Sequence, residues 1–446
     1  MDVSLLQTIL ALLAGIVLIV FLTVKIGLHP FFALLLACFV TGLLVKLSVP
    51  EILQLVKTGF GEILSKLTLI IVLGTAMGVL LEKNGHTTAM ATAIVKWVGI
   101  KRSPMALSIT GYIVGLPIFC DSGYIVLNGI NQSLIRKTGF SVAQMSISLG
   151  AGLYAVHCLI PPHPGATAAA GTLDADFGRL IAWGMLVAIP GMLAGHYWAL
   201  YAGKKGKIDK KEKEPSDPEP VNSISGNMSA SRAFIPVLVP IILMALRSLL
   251  LTDKNKGQLV FAVLDVLGEP AIALAIGLFV VIGTGKSRYR EWMPQLGTAV
   301  EKAGSILVII AAGSAFGSVL AATQIGKHFG NTPELSSLGI FFPFLLTAIL
   351  KTAQGSSTVA IITAASLVMP LLPVLELTSA NGKILAVLSM GAGSMMISHT
   401  NDAYFWVISK FSDIDIRTML RVHSVASIWM GLVCMLMIYL LSLIVL

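Results

Sequence analysis

The sequence predicts an all-α polytopic membrane protein with about 12 transmembrane helices. Hydrophobic residues make up 56% of its 446 residues and charged residues only 12%, whereas an ordinary soluble domain is about 25% charged. Apolar runs of about 17 to 25 residues recur along the chain, which is the length a helix needs to cross a hydrocarbon core about 30 Å thick. No alternation of polar and apolar residues competes with these runs, so a transmembrane β-barrel is excluded.

The apolar runs also place the spans along the chain. MDVS carries no positive charge before the first run and Lys25 follows it, so we expect a retained span and not a secretory signal. The stretch from Pro50 to Lys66 is amphipathic and is expected to form a helix on the membrane surface. The expected spans are residues 5–24, 29–47, 67–82, 104–119, 141–160, 178–201, 233–251, 258–283, 303–322, 336–352, 382–398 and 421–446.

One long polar segment divides the spans into two groups of similar size. Residues 203–232 contain six lysines followed by Pro, Ser and Asn residues, which predicts a flexible loop that the positive-inside rule places in the cytoplasm. Residues 286–290, two spans later, are also basic and fall on the same side. The net charge of +9 follows from such topological positions and does not indicate nucleic-acid binding. We expect an N-terminal transmembrane repeat at 1–202, a cytoplasmic linker at 203–232 and a C-terminal transmembrane repeat at 233–446.

A short repeat supports duplication of the two halves. The pattern Ser-x-Gly-Ala-Gly begins at Ser148 and again 241 residues later at Ser389, and His157 or His399 follows each copy. Each copy lies between two polar interruptions of an apolar stretch, at 120–123 and 157–167 in the first half and at 354–358 and 399–405 in the second. Four polar breaks, paired two and two, are what an internal repeat predicts.

Polar breaks at membrane depth predict a binding site. Backbone N–H and C=O groups cannot remain unpaired in lipid, so broken helices persist only where protein or a water-filled cavity surrounds them. Half-helix N-termini direct free N–H groups and a partial positive charge into such a cavity, which favours a carboxylate ligand. Paired interruptions in the two halves therefore predict a transporter whose substrate binds near the bilayer midplane.

Five motifs resemble those of one known family. They are GLPIFCDSGYIVL, AVHCLIPPHPGAT, DADFG, LKTAQGSSTVAIITA and SHTNDAYFW. In this order and spacing they resemble the gluconate:proton symporter family, part of the ion transporter superfamily, over essentially the whole chain. The resemblance implies import of gluconate or a related sugar acid or glycerate with protons across the bacterial inner membrane. It also implies inverted-topology repeats, re-entrant hairpins, a homodimer and elevator-type movement.

One position departs from the family pattern. Family members commonly carry glutamate in a Phe-Tyr/Phe-Glu context where this chain has Phe119, Cys120 and Asp121. The shorter acid and the smaller neighbour leave more room, which bears on the choice of substrate.

Asp121 and Asp402 are the candidates for proton coupling, together with His163. An aspartate at membrane depth costs about 2.5 to 3.5 kcal/mol on insertion scales and usually faces a cavity or a proton path. Burial favours the neutral form of a carboxyl group, so such a residue can exchange a proton near neutral pH. The structural alternative is helix capping, by Asp121 before Ser-Gly and by Asp402 before the segment 403–411.

Three histidines lie near the breaks. His163 is placed between Pro162 and Pro164, which remove local helix on both sides. Its imidazole is therefore expected to face the cavity, where it can bind a hydroxy-acid or relay a proton. His157 and His399 lie nearer helix ends and are possible site residues, with a role as hydrogen-bonded core histidines as the alternative.

The second half supplies most candidate substrate-binding groups. Lys351 directly precedes a break, and the gluconate branch of the family has a basic residue here, so we expect it to neutralise the substrate carboxylate. The alternative is a lysine that snorkels to the interface. The hydroxyls of 356–358 can instead bond to carbonyls of their own helix. The residues expected to bind substrate are Ser122, His163, Lys351, Gln354, Ser356, Ser357, Thr358 and Asn401.

Other function classes fit the sequence less well. An intramembrane hydrolase would need a pair such as Ser122 and His157, but the chain has no Gly-x-Ser-x-Gly elbow and no His-Glu-x-x-His motif, so an enzyme is not expected. A channel favours rings of like residues around a continuous pore. A sodium-coupled carboxylate carrier or a D-serine-type hydroxy amino acid transporter remains the alternative, because Ser, Thr and Asn also make sodium sites.

No resident cofactor is expected. The cysteines lie in apolar surroundings without metal-ligand spacing, so neither a metal site nor a disulfide is expected from Cys38, Cys120, Cys158 and Cys434. The predicted partners are a small organic anion, the lipid bilayer and a second copy of the chain. The predicted driving ion is the proton, with sodium as the alternative.

Overall fold

The computed structural model describes residues 5–204, 228–250, 259–285, 289–323 and 337–446, and every regular element within these ranges is a helix. Most of the predicted linker, residues 205–227, lies outside them, as do residues 286–288 of the second basic segment. The helices of the first half are α1 (Leu5–Val24), α2 (Pro30–Leu44), α3 (Val49–Lys83), α4 (His86–Val98), α5 (Ser103–Gly115), α6 (Cys120–Lys137), α7 (Val142–Leu159), α8 (Pro164–Leu173) and α9 (Phe177–Gly203).

The second half repeats this order of long and interrupted helices. A helical turn at Ile416–Met419 and a π-helical turn at Leu420–Ser424 lead into its last helix. The helices are α10 (Ala230–Leu250), α11 (Leu259–Leu267), α12 (Pro270–Thr284), α13 (Tyr289–Ala322), α14 (Phe341–Gln354), α15 (Ser357–Val368), α16 (Ala380–Met395), α17 (Ala403–Phe411) and α18 (Val425–Val445).

Length and composition confirm a polytopic membrane architecture. Among the described residues, 6 helical segments are long and apolar enough to cross a membrane, or up to 7 if the bent pair α11 and α12 forms one span. These segments are Val49–Lys83, Val142–Leu173, Phe177–Gly203, Ala230–Ser248, Glu291–Ala322 and Ile416–Val445. Shorter apolar helices lie at Leu10–Thr23, Pro30–Leu44, Phe341–Gln354 and Ser357–Leu371.

Two expected elements differ from the observed ones. The surface helix at 50–66 and the span at 67–82 form one continuous helix, α3, which Ser48 and Glu51 start with a capping box and whose buried face packs on α13. The apolar stripe of residues 50–66 is thus buried against another helix of the protein, and the segment does not form a separate helix on the membrane surface. The single span at 258–283 is bent by 71°, because Gly268, Glu269 and Pro270 end one helix and start the next.

Helix breaks are present at or beside all four predicted positions. The first lies at 116–119, because the predicted residues 120–123 already form the first turn of α6. Residues 116–119 separate α5 from α6 and contain Pro117, while 160–163 separate α7 from α8 and contain two prolines. Gly355 ends α14 with a φ of +81°, a left-handed conformation that glycine adopts without strain. Ile397, between α16 and α17, has a φ of +49° and is strained, because a β-branched residue rarely adopts this conformation.

The packing of the helices follows the predicted repeat. The pairs α5–α7 and α7–α9 correspond to α14–α16 and α16–α18, and α6–α17 corresponds to α15–α8. Hydrogen bonds correspond too: Ser141 before α7 donates to the carbonyl of Gly203 at 2.9 Å, and Asn381 in α16 donates to the carbonyl of Val445 at 3.0 Å. The helices α3 and α13 pack against each other.

The two repeats have inverted topology. Helix α7 begins beside the end of α9, and α8 ends at Asp174. Lys383, in the first turn of α16, has its Nζ 3.8 Å from Oδ2 of Asp174. Helix α16 therefore begins near the face at which α8 ends, so equivalent helices run in opposite directions. The division of the chain at 202 and 233 stays a prediction, since residues 205–227 are not described.

Candidate functional site

A cavity of about 560 Å³ lies where the breaks meet. Its volume is within the range of about 300 to 1,000 Å³ that is usual for small-molecule sites. Helix α13 closes one side with Lys302, Ser305 and two isoleucines. Nine of the residues predicted from the sequence line it, namely Asp121, Ser122, His157, Gln354, Ser356, Ser357, Thr358, Asn401 and Asp402.

Four helix N-termini converge on this cavity. Helices α6, α8, α15 and α17 all begin at residues that line it, so their free N–H groups and positive dipole ends point to the same space. Asp121 lies in the first turn of α6 and Asp402 caps α17, whereas the first turns of α8 and α15 carry no acid. The acid-free tips touch, since a Cβ added to Gly165 would lie 3.3 Å from Cα of Thr358. The cavity thus has an anion-attracting side and an acidic side.

Lys351 and Asp402 form a buried ion pair behind the cavity wall. The Lys351 Nζ lies 2.6 Å from Oδ2 of Asp402, and the Lys351 side chain is 0% exposed. The ammonium also donates to the carbonyl of Gly355 at 2.5 Å. In this conformation Asp402 neutralises the charge of Lys351 and accepts its hydrogen bond. Direct contact of Lys351 with a substrate carboxylate therefore stays a prediction, and it requires the pair to separate.

The other bonds around Asp402 join the two breaks of the second half. Oδ1 of Asp402 accepts from the backbone N–H of Tyr404 at 3.0 Å, which confirms the capping alternative beside the ion pair. The Asn401 amide donates to the carbonyl of Thr352 at 2.9 Å, and Nε2 of His399 lies 3.1 Å from the same oxygen. These bonds satisfy the C-terminal end of α14, so His399 is a structural residue here and does not line the cavity.

Asp121 differs from Asp402 because its carboxylate has no strong donor. The N-cap position of α6 is Phe119, so the predicted capping alternative for Asp121 is wrong. Among the described residues, the hydrogen bond to the Asp121 side chain comes from Sγ of Cys120 at a distance of 3.9 Å. A weak thiol donor leaves the carboxylate oxygens available at the cavity surface for a proton or a ligand hydroxyl.

Comparison with known proteins identifies the family to which the chain belongs. Residues 7–444 match the family model described as GntP family permease. The chain belongs to the GntP permease family. It is 31% identical to a gluconate permease of Pseudomonas aeruginosa over 97% of both chains. It is 30% identical to the low-affinity gluconate transporter of Escherichia coli K12, over 91% of this chain and 92% of that one. It is also 29% identical to the Gnt-II system L-idonate transporter of Escherichia coli K12, over 92% and 94% of the two chains.

Solved structures show the same fold in two distant transporters. The GntP family chain matches the Alcanivorax borkumensis YdaH transporter with a TM-score of 0.60 and 14% identity, covering 89% of this chain and 90% of that one. It matches Neisseria gonorrhoeae MtrF, described with a class of antimetabolite efflux pumps, with a TM-score of 0.65 and 14% identity over 87% and 83% of the chains. Family and fold together make this GntP permease a membrane transporter and not an enzyme.

The first-half histidines of this GntP permease have different environments. His163 is buried, and its Nε2 lies 2.8 Å from the carbonyl of Gly115. It borders a narrow space beside the cavity and not the cavity itself, so the expected direct exposure to the cavity is not observed. His157 does line the cavity, with its ring 4.9 Å from that of His163.

Two side chains on the cavity wall contain buried polar atoms without partners. Nδ1 of His157 and both the amide nitrogen and oxygen of Gln354 make no hydrogen bond with any residue that the structure describes. Buried polar atoms are nearly always paired in native proteins, and an unpaired one costs about 1 to 3 kcal/mol. A bound polar molecule that donates to and accepts from these groups would satisfy them. Gln354 and His157 therefore point to a hydrogen-bonding ligand.

Two side chains that line the cavity were not predicted. Tyr154 lines the cavity, with its hydroxyl 2.7 Å from Oγ of Ser357, and its ring stacks on Tyr404 with 5.5 Å between centroids. Lys302 is exposed and faces both the cavity and the narrow space beside it. Tyr154 resembles an ordinary core residue in its apolar run. Lys302 precedes an apolar run, where a lysine usually marks the interface.

Proposed function

We propose that this protein is a secondary active transporter that imports gluconate or a related small hydroxy-carboxylate by proton symport across the bacterial inner membrane. The observation that carries the proposal is the division of the cavity into two helix tips without acids and two with acids. The relatives named as gluconate and L-idonate transporters support the sugar-acid class.

The substrate carboxylate binds at the tips of α15 and α8. Ser356, Ser357 and Thr358 provide hydroxyls and backbone N–H groups there. A helix N-terminus stabilises an anion by about 0.3 to 1 kcal/mol, and by up to about 2 kcal/mol when partly buried. Two adjacent tips without a competing carboxylate therefore favour the anionic end of the substrate. Gln354 and His157 supply the unpaired polar atoms beside it.

The substrate hydroxyls bind at the opposite, acidic side. Ser122, Asn401 and Asp121 line this part of the cavity. A carboxylate accepts hydrogen bonds from hydroxyls, so Asp121 selects a polyhydroxylated chain over an apolar acid. The short Cys120 and Asp121 side chains, where the family commonly has larger ones, make room on this side.

Proton coupling follows from the charges around the cavity. A carboxylate substrate adds a second negative charge to the cavity that Asp121 lines, and like charges repel each other across a cavity of low dielectric. Protonation of Asp121 removes this repulsion, so anion and proton bind together more favourably than either binds alone. Asp402 is the second candidate, and it can take up a proton when it separates from Lys351. His163 is restrained by its bond to Gly115 and is the weakest of the predicted proton carriers.

The elevator movement, the homodimer and the inner-membrane location belong to the same proposal. The interrupted helices pack on one another through α6–α17 and α8–α15, and α3 packs with α13. This grouping supports movement of the break-bearing helices as one body along α3 and α13.

Sodium coupling is less well supported by the contacts in the second half. A sodium site needs free carbonyl oxygens at the breaks. The carbonyl of Gly355 accepts from Lys351, and that of Thr352 accepts from Asn401. These oxygens are therefore already used by side chains.

Uptake into proteoliposomes tests the proposal. Purified protein is reconstituted, and radiolabelled gluconate uptake is measured with an inward proton gradient, with an inward sodium gradient and with neither. Glycerate, other sugar acids and D-serine are added as competitors. We expect accumulation with the proton gradient alone, and competition by sugar acids. Accumulation only with sodium, or competition only by D-serine, would contradict the proposal.

A further inference from the structure

A chain of buried hydrogen bonds extends from Asp402 away from the cavity. Oγ of Ser398 lies 2.5 Å from Oδ2 of Asp402 and 3.1 Å from Nε2 of His423. Ser398 is 0% exposed and His423 is 3% exposed, so both lie in the protein interior. We infer that Ser398 and His423 form a proton path between Asp402 and the cytoplasm. This inference rests on the proposed proton symport.

The two bonds of Ser398 define the direction of proton transfer. A serine hydroxyl has one proton to donate. When Asp402 is ionised and paired with Lys351, Ser398 donates to the carboxylate and therefore accepts from Nε2–H of His423. When Asp402 is protonated, the polarity of both bonds reverses after the imidazole exchanges its tautomer with water. Nδ1 takes up one proton and Nε2 gives one up, so the proton count is unchanged, and Ser398 then donates to Nε2 of His423.

Proton release follows from this reversal. The proton on Oδ2 of Asp402 passes to Oγ of Ser398 as the hydroxyl proton of Ser398 passes to Nε2 of His423. The imidazolium then loses its Nδ1 proton to water on the cytoplasmic side, which leaves the Nε2–H form. Asp402 is again a carboxylate and pairs with Lys351, as observed. No bond other than those to hydrogen is formed or broken.

Ser398 is held in place by backbone contacts and local strain. Its N–H donates to Oγ of Ser427 at 3.0 Å, and its carbonyl accepts from the hydroxyl of Ser424. The preceding residue, Ile397, has a φ of +49°. Strained residues of this kind cluster at functional sites, where the surrounding structure maintains them. The bond from Ser427 comes from the first turn of α18, and the bond from Ser424 comes from the π-helical turn Leu420–Ser424, which also carries His423.

His423 lies in an unusual helical turn near the predicted cytoplasmic face. It belongs to the π-helical turn Leu420–Ser424, and π-turns occur frequently at functional sites. Trp198, in the last turns of α9, contacts the carbonyl of Arg421 at 3.4 Å. Helix α9 ends at the linker that the positive-inside rule places in the cytoplasm, and Arg421 is exposed. The turn therefore connects buried Ser398 with the side at which an importer releases protons.

Few charged groups act on His423. The titratable and charged groups that face it are Asp402 from the break, Lys351 from α14 and Tyr404 from α17, with its ring centroid 6.0 Å away. Phe405 flanks the imidazole at 6.0 Å, and Trp198 from α9 contacts the same turn at the carbonyl of Arg421. Asp402 and Lys351 are therefore the charged groups whose pairing acts on the protonation of His423.

The described part of the first repeat, residues 5–202, shows no equivalent chain of hydrogen bonds. The position 241 residues before Ser398 is His157, which lines the cavity and has an unpaired Nδ1. The proton path thus exists in one repeat, whereas the helix tips that bind the substrate come from both. This asymmetry is what a directional release route in an otherwise duplicated protein requires.

Transport assays on two variants and one control test the inference. His423→Gln keeps a hydrogen-bonding side chain but cannot be protonated, and Ser398→Ala interrupts the chain at its centre. The control is His196→Gln, because His196 is also buried, is bonded to the hydroxyls of Ser108 and Ser148, and does not line the cavity. Gluconate accumulation and proton influx, read by a trapped pH dye, are measured under a proton gradient. Gluconate counterflow is measured at equal pH on both sides.

We expect both path variants to lose at least about tenfold in gradient-driven uptake and proton influx while counterflow stays within about twofold of wild type. The control should retain all three activities. The inference would be overturned if His423→Gln shows the same proton influx as the wild type, or if counterflow and gradient-driven uptake fall equally in a path variant. In both cases, proton-driven uptake by the wild-type protein would still uphold the proposed function. If the wild-type protein shows no proton-driven uptake, the proposed function itself fails, and the inference fails with it.

Discussion

The buried pair of Lys351 and Asp402 offers a sharp test of the second-half site. Lys351→Met removes the ammonium and keeps a long apolar side chain of similar volume. The carboxylate of Asp402 then retains only the Ser398 hydroxyl and the Tyr404 N–H as donors. We expect this single substitution to destabilise the protein more than the double substitution Lys351→Met with Asp402→Asn.

The loss of stability expected for Lys351→Met follows from the geometry of the ion pair. The atoms of the pair are 2.6 Å apart, and the two side chains are 0% and 7% exposed. Removing one partner of such a pair costs about 3 to 5 kcal/mol, because a buried charge loses its counter-ion. One kcal/mol shifts the melting temperature by about 2 to 4 °C in chains of 150 to 250 residues, so a chain of 446 residues should shift by about half as much. The single variant should therefore melt about 3 to 10 °C lower, less if Asp402 becomes protonated.

Thermal unfolding in detergent can be followed with a thiol-reactive fluorescent dye, because all four cysteines are free and buried. Lys383→Met is the matched control, since its Nζ is 3.8 Å from Asp174 in a pair whose side chains are 25% and 80% exposed. Such an exposed pair contributes less than about 1 kcal/mol. The reasoning is refuted if Lys351→Met melts within about 1 °C of wild type, or if the double variant melts no higher than the less stable single variant.

Three further predictions concern other residues. Asp121→Asn should retain gluconate counterflow and lose at least about tenfold in proton-driven accumulation; undiminished accumulation would exclude Asp121 as a proton carrier and leave Asp402. Gly355→Ala should lower the melting temperature and abolish uptake, because φ is +81° and the new Cβ would overlap the Asn401 carbonyl; the exposed helical Gly129→Ala, which meets no atom within 4 Å, should be neutral or stabilising. Hydrogen bonds from the Thr418 hydroxyl and N–H lower the pKa of Asp415, so its stabilisation is present above about pH 4 and is lost as pH falls through the folded pKa. The melting temperatures of wild type and Asp415→Asn should therefore converge in acid, and the corresponding difference in free energy of unfolding should be less than about 1 kcal/mol. Melting temperatures that fall in parallel with pH would contradict this prediction.

The breaks and most cavity residues could be predicted because their causes are local. Proline and glycine interrupt a helix wherever they occur, and a carboxylate or amide in an apolar run needs a cavity or a partner. These rules identified Asp121, Ser122 and the hydroxyl run 356–358, all of which line the cavity. They also predicted the pairing of breaks that brings both repeats to one site.

The partners of particular side chains could not be predicted because they depend on long-range packing. Lys351 is 51 positions from Asp402, and nothing local distinguishes an ion pair between them from a lysine that binds substrate. His163 is flanked by prolines, yet its imidazole turns to the carbonyl of Gly115. Tyr154 acquires a polar role because two groups of the other repeat lie near its hydroxyl, Oγ of Ser357 at 2.7 Å and the carbonyl of Ser394 at 3.1 Å.

The sequence by itself determined the class of the protein, the positions at which its helices break and the chemistry brought to those breaks. Hydrophobic length and helix-breaking residues act within a few neighbouring residues, so the linear order is sufficient for these properties. Only the tertiary structure decided which tips remain free for an anion, which carboxylate is paired with Lys351 and which is open at Asp121, and how Ser398 connects Asp402 to His423. Electrostatic and hydrogen-bond partners are selected by distances of a few ångströms between residues far apart in the chain, and folding alone sets those distances.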